Sequence, residues 1–119
     1  MYKLVDYCLA VDQEGIKKEI IKGGPVIAQM QMFTDFLVYK DGSYHRTEDA
    51  YKFNGQHIVK IVGWEQAQEG QDVWLVENSW GEDWGAEGFV RILAQDRSTG
   101  VDYYALGMAA YPMTMEEYY

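Results

Sequence analysis

Two short runs of β-branched and aromatic residues, separated by a polar segment, constrain the fold of this chain more than any other feature. The first run spans residues 57–64, HIVKIVGW, and the second spans residues 73–76, VWLV. Residues 65–72 between them are polar and include a glycine, so the pattern predicts an antiparallel hairpin with a long loop. Such a hairpin brings the start of its first strand close to the end of its second.

A histidine opens the first predicted strand, and an asparagine follows the second. Neighbouring strands lie about 4.8 Å apart, which is within side-chain hydrogen-bonding reach, so we predict that His57 and Asn78 meet. An imidazole can move a proton near neutral pH when a hydrogen-bond acceptor fixes its tautomer and orientation. A lone histidine at a strand end more often bonds a neighbour without a chemical role, so the pair needs support from its surroundings.

That support comes from the motif that begins at Asn78. Residues 78–92 read NSWGEDWGAEGFVRI, with Ser79 and Trp80 directly after the asparagine. Together with the strand that carries His57, this string resembles the C-terminal half of papain-family cysteine peptidases, and in particular their cathepsin B-like members.

The resemblance extends over nearly the whole chain, from about residue 14 to residue 112. Residues 23–46, GGPVIAQMQMFTDFLVYKDGSYHR, are similar to a strand, short aromatic helix and turn of that family. Residues 109–112, AAYP, are similar to its closing strand. The fold that this implies is α+β: a mostly antiparallel, barrel-like β-sheet lobe with one or two short helices, the right-hand lobe of a papain-like peptidase.

The resemblance also implies a mechanism. In that family a cysteine thiolate attacks the peptide carbonyl, a histidine activates the thiol and later protonates the leaving amine, and an asparagine orients the histidine. These roles would fall to His57 and Asn78, with Trp80 covering their hydrogen bond and Ser79 supporting it within the same motif. Taken alone, Asn78 is also an ordinary turn residue and Trp80 an ordinary core residue.

Two departures from the family pattern affect the expected activity. Gln56 stands before His57, where cathepsin B-like members usually have glycine, and its larger side chain is expected to alter or partly block the primed side of the cleft. The one cysteine, Cys8, lacks the sequence context of a catalytic cysteine and is better explained as a small apolar residue. The lobe that would carry the nucleophile and the oxyanion-hole glutamine is therefore expected to be absent from residues 1–119.

Composition argues against several classes of function. The net charge of −9 and the lack of a basic stripe argue against nucleic acid and anionic membranes as partners. No apolar run approaches the roughly 18 residues of a membrane span, and residues 1–7 lack the apolar core of a secretory signal. Two well-separated histidines argue against a metal, and no cofactor is expected. The family implies a lysosomal or secreted protein, but the single cysteine leaves a cytoplasmic or organellar assembly open.

Two hypotheses from different classes follow. The first is that residues 1–119 form a single domain, the C-terminal half of a papain-like cysteine peptidase, whose partner is an N-terminal lobe or another chain that covers the open lobe face and whose substrate is a peptide. The alternative is a non-catalytic pseudopeptidase half-domain that acts as a structural or binding subunit of an assembly. Intact His57, Asn78 and Trp80 favour the first, and Gln56 favours the second.

The remaining segments complete the expected order of elements. The first ten residues read as an edge strand or an extended arm, and Asp12 is a suitable N-cap for a short amphipathic helix that ends at residues 23–24. The later elements are a strand at 26–32, a helical turn at 33–39, a polar connection at 47–54, a surface loop at 80–88, strands at 89–93 and 103–111, and a mobile tail at 113–119.

Overall fold

A computed structural model describes residues 2–66 and 70–112 of the chain, and for residues 2–8 and 108–112 it describes the backbone alone. The predicted tail at 113–119 lies outside the described residues. In chain order the elements are β1 (Tyr2–Ala10), α1 (Gln13–Gly23), β2 (Val26–Phe33), a 3₁₀ helix (Thr34–Val38), β3 (Ser43–Tyr44), β4 (Lys52–Gln66), β5 (Asp72–Glu77), β6 (Phe89–Leu93) and β7 (Ala105–Pro112).

The strands form one seven-stranded sheet in the order β1-β7-β2-β4-β5-β6-β3. Every neighbouring pair is antiparallel except β3 and β6, which run parallel. With one α-helix beside a mostly antiparallel sheet, the α+β prediction is confirmed. No helix in the described part of the chain is long and apolar enough to cross a membrane.

Helix α1 starts and stops where its sequence signals lie. The Asp12 side chain accepts a hydrogen bond from the Gly15 backbone N–H at 2.7 Å, which satisfies one of the unpaired amides of the first turn. At the other end Gly24 adopts a φ of 91° and its N–H donates to the Ile20 carbonyl. Ile16 is the fully buried residue of the helix and joins the main core.

The core lies on one face of the sheet, where apolar side chains from β2, β4, β5 and β6 alternate with more exposed ones. Trp74 is the largest fully buried side chain of this core. Its indole N–H donates to Asp102 Oδ2 at 2.8 Å, so this large side chain is buried without an unpaired donor. The side chains that are almost completely buried include Ile16, Val26, Met30, Phe36, Ile61, Val76, Val90 and Ile92.

Three sequence predictions need correction. The strand that carries His57 begins at Lys52, so His57 lies within it, and residues 52–54 belong to this strand instead of to a connection. The last strand begins at Ala105, two residues later than predicted. The short strand β3 was not predicted. Residues 52–54 and β3 are extended because they pair with strands far away in the sequence: Lys52 pairs with Phe33 of β2 across a bulge, and β3 pairs with β6. The last strand is shorter than predicted because its pairing with β1 and β2 begins at Ala105.

Asp72, the first residue of β5, ties the sheet to α1. Its carboxylate accepts hydrogen bonds from Lys17 and from Gln13 Nε2, and the Lys17 side chain also lies over the Trp64 ring, 5.5 Å from its centroid. The hydrogen bond from Lys17 is the main reason why the pKa of Asp72 lies below its ordinary value of 3.8.

This contact predicts a pH-dependent part of the stability. Because the pKa of Asp72 is lower in the folded state than in the unfolded state, its contribution is present above the unfolded pKa and is lost as the pH falls through the folded pKa. We expect the urea midpoint of the wild-type chain to fall more steeply below about pH 4 than that of Asp72→Asn. Asp41→Asn, at an exposed turn residue, is the control and should follow the wild type; identical curves for all three would contradict the prediction.

Candidate active site

His57 lies on the buried side of the sheet near the end of β5. In β4 it shares a face with the buried residues Val59 and Ile61, and it pairs in register with Met30 of β2. The β4–β5 register joins Lys60 to Glu77, so continuing it by one residue sets Asn78 opposite Val59 and diagonal to His57. The structure brings the two side chains together, with His57 Nε2 at 2.8 Å from Asn78 Oδ1.

The backbone around Asn78 determines which tautomer His57 adopts. The Ser79 backbone N–H donates to the same Asn78 atom at 2.8 Å. A backbone N–H can only donate, so the accepting atom is the amide oxygen and not the amide nitrogen. His57 Nε2 must therefore carry the proton that it donates to this oxygen, and in the neutral ring Nδ1 is left as the free basic nitrogen.

Asn78 is held rigidly because it is buried on a fixed backbone. Its side chain is only 6% exposed, and its backbone N–H donates to the Gly88 carbonyl at 3.0 Å. Within the described residues, nothing accepts a hydrogen bond from its Nδ2. A hydrogen bond in such a poorly solvated place is stronger than the same bond in water, which favours a single orientation of the imidazole.

Trp80 covers the imidazole. The centroids of the Trp80 and His57 rings are 5.0 Å apart and their planes are inclined by 34°. Phe36 of the 3₁₀ helix packs edge-on against both, at 5.8 Å from Trp80 and 6.4 Å from His57. Trp80 itself is 38% exposed, so it shields the His57–Asn78 bond while one side of the indole still meets solvent.

The loop that carries Trp80, residues 80–88, is held by a second tryptophan. Trp84 lies 4.8 Å from the Phe36 ring and 5.3 Å from the Trp80 ring, and its indole N–H donates to the Phe36 carbonyl at 3.2 Å. Gly81 and Gly85 both have positive φ, as the predicted tight loop requires. The loop therefore fixes Trp80 over His57 through contacts with the 3₁₀ helix.

Two glycines of this loop allow a matched test of its tight packing. At Gly85, φ is 63° and an added Cβ would lie 2.7 Å from the Phe89 carbonyl oxygen, whereas at Gly81, φ is 94° and nothing lies within 4 Å. Both alanine variants bear the cost of a positive φ, about 1–2 kcal/mol, but only Gly85→Ala adds an overlap with the backbone. We expect urea denaturation to show a clearly larger loss of unfolding free energy for Gly85→Ala. Equal losses would mean that the loop shifts freely.

The other predicted site residues are placed differently. Ser79 contributes its backbone N–H, while its side chain is exposed. Gln56 is exposed and pairs in register with Gln31 of β2, and it does not join the group around His57. Phe36 and Trp84 were not predicted from the sequence as parts of this group. Their aromatic character was visible in the sequence, but their meeting depends on how the loop folds back.

The remaining candidates lie elsewhere. His45 is exposed, as predicted for a loop residue. Cys8 lies in β1, where its backbone pairs with Gly107, and its side chain is outside the described part of the chain. Over the described residues, no group of three or more His, Cys, Asp or Glu side chains converges as a metal site.

Comparison with known proteins decides the family. The model of the papain family cysteine protease domain matches residues 2–109. The chain belongs to this family. The match covers nearly all of the chain, and it corresponds to the C-terminal lobe of a cathepsin B-like protein.

The most similar curated relatives include several cathepsin B-like proteins. A cathepsin B-like protein of Giardia intestinalis, CP3, is 35% identical over 105 residues, which cover 88% of this chain and 34% of the relative. Cathepsin B-like cysteine proteinase 2 of Haemonchus contortus is 38% identical over 96 residues, which cover 81% of this chain and 27% of the relative. The papain-family chain thus spans about a third or less of these two relatives.

Solved structures agree with this assignment. Procathepsin B S9 from Trypanosoma congolense superposes with a TM-score of 0.82 at 28% identity, covering 93% of this chain and 37% of that one. The bromelain protease from Ananas comosus superposes with a TM-score of 0.70 at 22% identity, covering 89% of this chain and 50% of that one, and it supports the fold alone. The papain-like lobe predicted from the sequence is confirmed.

Proposed function

We propose that this chain is the lobe of a cysteine peptidase that supplies the general acid–base and its orienting amide, and that a separate N-terminal lobe supplies the cysteine nucleophile. The observation that carries the proposal is the 2.8 Å contact between His57 Nε2 and Asn78 Oδ1 beneath the Trp80 ring. Membership of the papain family supports it, because that family is named for cysteine proteases.

The geometry suits proton transfer at one defined atom. With its Nε2 proton donated to Asn78, His57 offers Nδ1 to an incoming thiol and can take the thiol proton as the sulfur attacks the peptide carbonyl. The same Nδ1–H then protonates the leaving amine. A water molecule, activated by the neutral imidazole, would release the acyl group from the sulfur and restore the starting state. Within this chain Asn78 acts as a positioning residue, since its side chain bonds the imidazole.

A reconstitution assay tests this role. The chain is assayed against a fluorogenic peptide alone and together with the N-terminal lobe of a cathepsin B-like relative, with association checked by native mass spectrometry. We expect no hydrolysis by the chain alone, and hydrolysis by the complex that iodoacetamide blocks and Cys8→Ala does not change. Hydrolysis by the isolated Cys8→Ala chain would show that the nucleophile does not come from another lobe.

A second candidate function is non-catalytic: the same lobe would act as a binding subunit and cleave no peptide. Gln56 precedes His57 in β4 and is exposed, and a side chain larger than the usual glycine at this position favours a binding subunit in which the cleft is partly obstructed. The same assay separates the two functions, because a complex that forms and binds peptide without cleaving it supports the binding role. Replacing Gln56 by glycine is then the decisive variant. If it produces cleavage, obstruction by this side chain was the reason for the inactivity.

A further inference from the structure

A second cleft of 520 Å³ lies between the first turn of α1 and the segment that joins β6 to β7. It shares no residue with the His57 site. Its polar lining residues are Asp12, Gln13, Gln95, Arg97, Asp102 and Tyr103.

Asp102 is the buried charge of this cleft. It is only 5% exposed, and its Oδ2 accepts hydrogen bonds from Trp74 Nε1 at 2.8 Å and from the Gln95 backbone N–H at 2.6 Å. Both donors bond the same oxygen, and no donor in the described part of the chain bonds Oδ1. Nor does any described lysine or arginine form an ion pair with this carboxylate. A carboxylate can accept about four hydrogen bonds, so Asp102 keeps acceptor capacity at Oδ1 that a cationic partner could use.

The rest of the cleft favours the same partner. Asp12 brings a second carboxylate, of which Oδ1 caps α1. Among the described residues that line the cleft, Arg97 is the one cationic residue, so acidic groups predominate there. Tyr103 is 56% exposed, but two contacts hold its side chain in place. Its hydroxyl donates to the Arg97 carbonyl at 3.4 Å, and its ring packs on Gly100, where an added Cβ would lie 3.0 Å from the ring. An aromatic ring held in place beside a carboxylate can receive a cation on its face.

We propose that this cleft binds a guanidinium or primary ammonium group on an aliphatic stem, with Asp102 as its main acceptor and Tyr103 as an aromatic wall. The group can come from a free basic amino acid or from an arginine or lysine side chain of a peptide. The net charge of −9 would attract either source. The site goes beyond the proposed peptidase role and does not depend on it, because none of its residues takes part in the proton transfer.

Trp74 provides a direct readout, because its indole N–H bonds the proposed acceptor. The four tryptophans of the chain give separate indole signals in a proton–nitrogen correlation spectrum, and loss of a signal in Trp74→Phe assigns that residue. Methylguanidinium chloride is titrated into the wild-type chain, with sodium chloride at equal concentration as the reference. We expect a saturable shift of the Trp74 signal with methylguanidinium only. No shift beyond that caused by sodium chloride would overturn the proposal.

Variants then locate the binding. Asp102→Asn keeps an acceptor for Trp74 but removes the charge, and we expect affinity to fall about tenfold or more. Asp41→Asn makes the same charge change outside the cleft and should leave affinity unchanged; equal affinity in Asp102→Asn and Asp41→Asn would refute the assignment. If Asp102→Asn fails to fold, Asp12→Asn replaces it, since asparagine caps a helix as well as aspartate does. An unchanged affinity there would count against the site.

Two further titrations separate the sources of the cation. Free arginine is compared with a short peptide that contains one arginine and is blocked at both ends. Tighter binding of the blocked peptide supports a protein or peptide partner, and tighter binding of the free amino acid supports a small-molecule ligand. Failure of both, when methylguanidinium binds, would overturn the claim that the group arrives on an amino-acid side chain.

Discussion

Replacing His57 by alanine is expected to remove most of the peptide hydrolysis that the chain supports in complex with an N-terminal lobe. The variant loses the imidazole that contacts Asn78 and that we propose takes and returns the proton, and general acid–base catalysis of this kind contributes about 10²–10⁴ in rate. The reduction should appear in kcat/KM measured with a fluorogenic peptide, whereas association of the two lobes should persist.

The chain offers a matched control for this experiment. It has two histidines, and the second, His45, is exposed in the segment that follows β3. His45→Ala should therefore leave kcat/KM unchanged. If both histidine variants retain full activity in the complex, the proposed role of His57 is wrong and the hydrolysis arises elsewhere.

Asn78 allows the orienting role to be tested apart from the proton transfer. Asn78→Ala removes the hydrogen bond to His57, worth about 0.5–1.5 kcal/mol, so kcat/KM should fall by about two- to thirteenfold. Asn78→Asp keeps an oxygen acceptor for the Nε2 proton of His57, so it should retain more of kcat/KM than Asn78→Ala. Equal losses of kcat/KM in the two variants, with both folded by circular dichroism, would contradict the orienting role.

The largest effect on stability is expected at Trp74. Trp74→Ala leaves a cavity in the core and removes a donor from Asp102, and truncation of a fully buried tryptophan costs about 3–5 kcal/mol. Domains of this kind have unfolding free energies of about 5–15 kcal/mol, so Trp74→Ala is expected to remove a large part of the stability. Urea denaturation followed by circular dichroism should show a much lower midpoint.

Two comparison variants separate the contributions to this loss of stability. Trp74→Phe fills most of the space but leaves Asp102 with one donor fewer, so its loss should be smaller, about 1–3 kcal/mol. Tyr51→Ala removes an aromatic side chain that is 79% exposed and should change the midpoint little. A midpoint for Trp74→Ala similar to that of Tyr51→Ala would contradict the burial of Trp74 in the core.

The parts of the fold that could be predicted from the sequence are those whose causes are local. Helix α1 has its cap at Asp12 and its stop at Gly24, and the β4–β5 hairpin has two apolar runs around a polar segment. Strand β3 could not be predicted, because its two residues are ordered by parallel pairing with β6 and carry no periodic pattern of their own. The first residues of β4 were missed for the same reason, since only β2 explains why they are extended.

The candidate site shows the same division. The approach of His57 to Asn78 followed from hairpin pairing, although the catalytic roles of both residues stay a prediction. The contact of Phe36 with Trp80 requires the 3₁₀ helix and the 80–88 loop to fold towards each other, and no local pattern encodes that distance. The hydrogen bond from the Ser79 backbone N–H to Asn78 could not be predicted either. Every residue except proline has a backbone N–H, and the sequence does not show which of them bonds a given side chain.

The hydrogen bond from the Ser79 backbone N–H to Asn78 also determines which substitutions position 79 tolerates. The amide of Asn78 is oriented by a group that every amino acid except proline possesses, so codon changes at position 79 should be tolerated far more widely than changes at 78. A saturation library selected for cleavage would then recover nearly all residues at position 79, with proline missing.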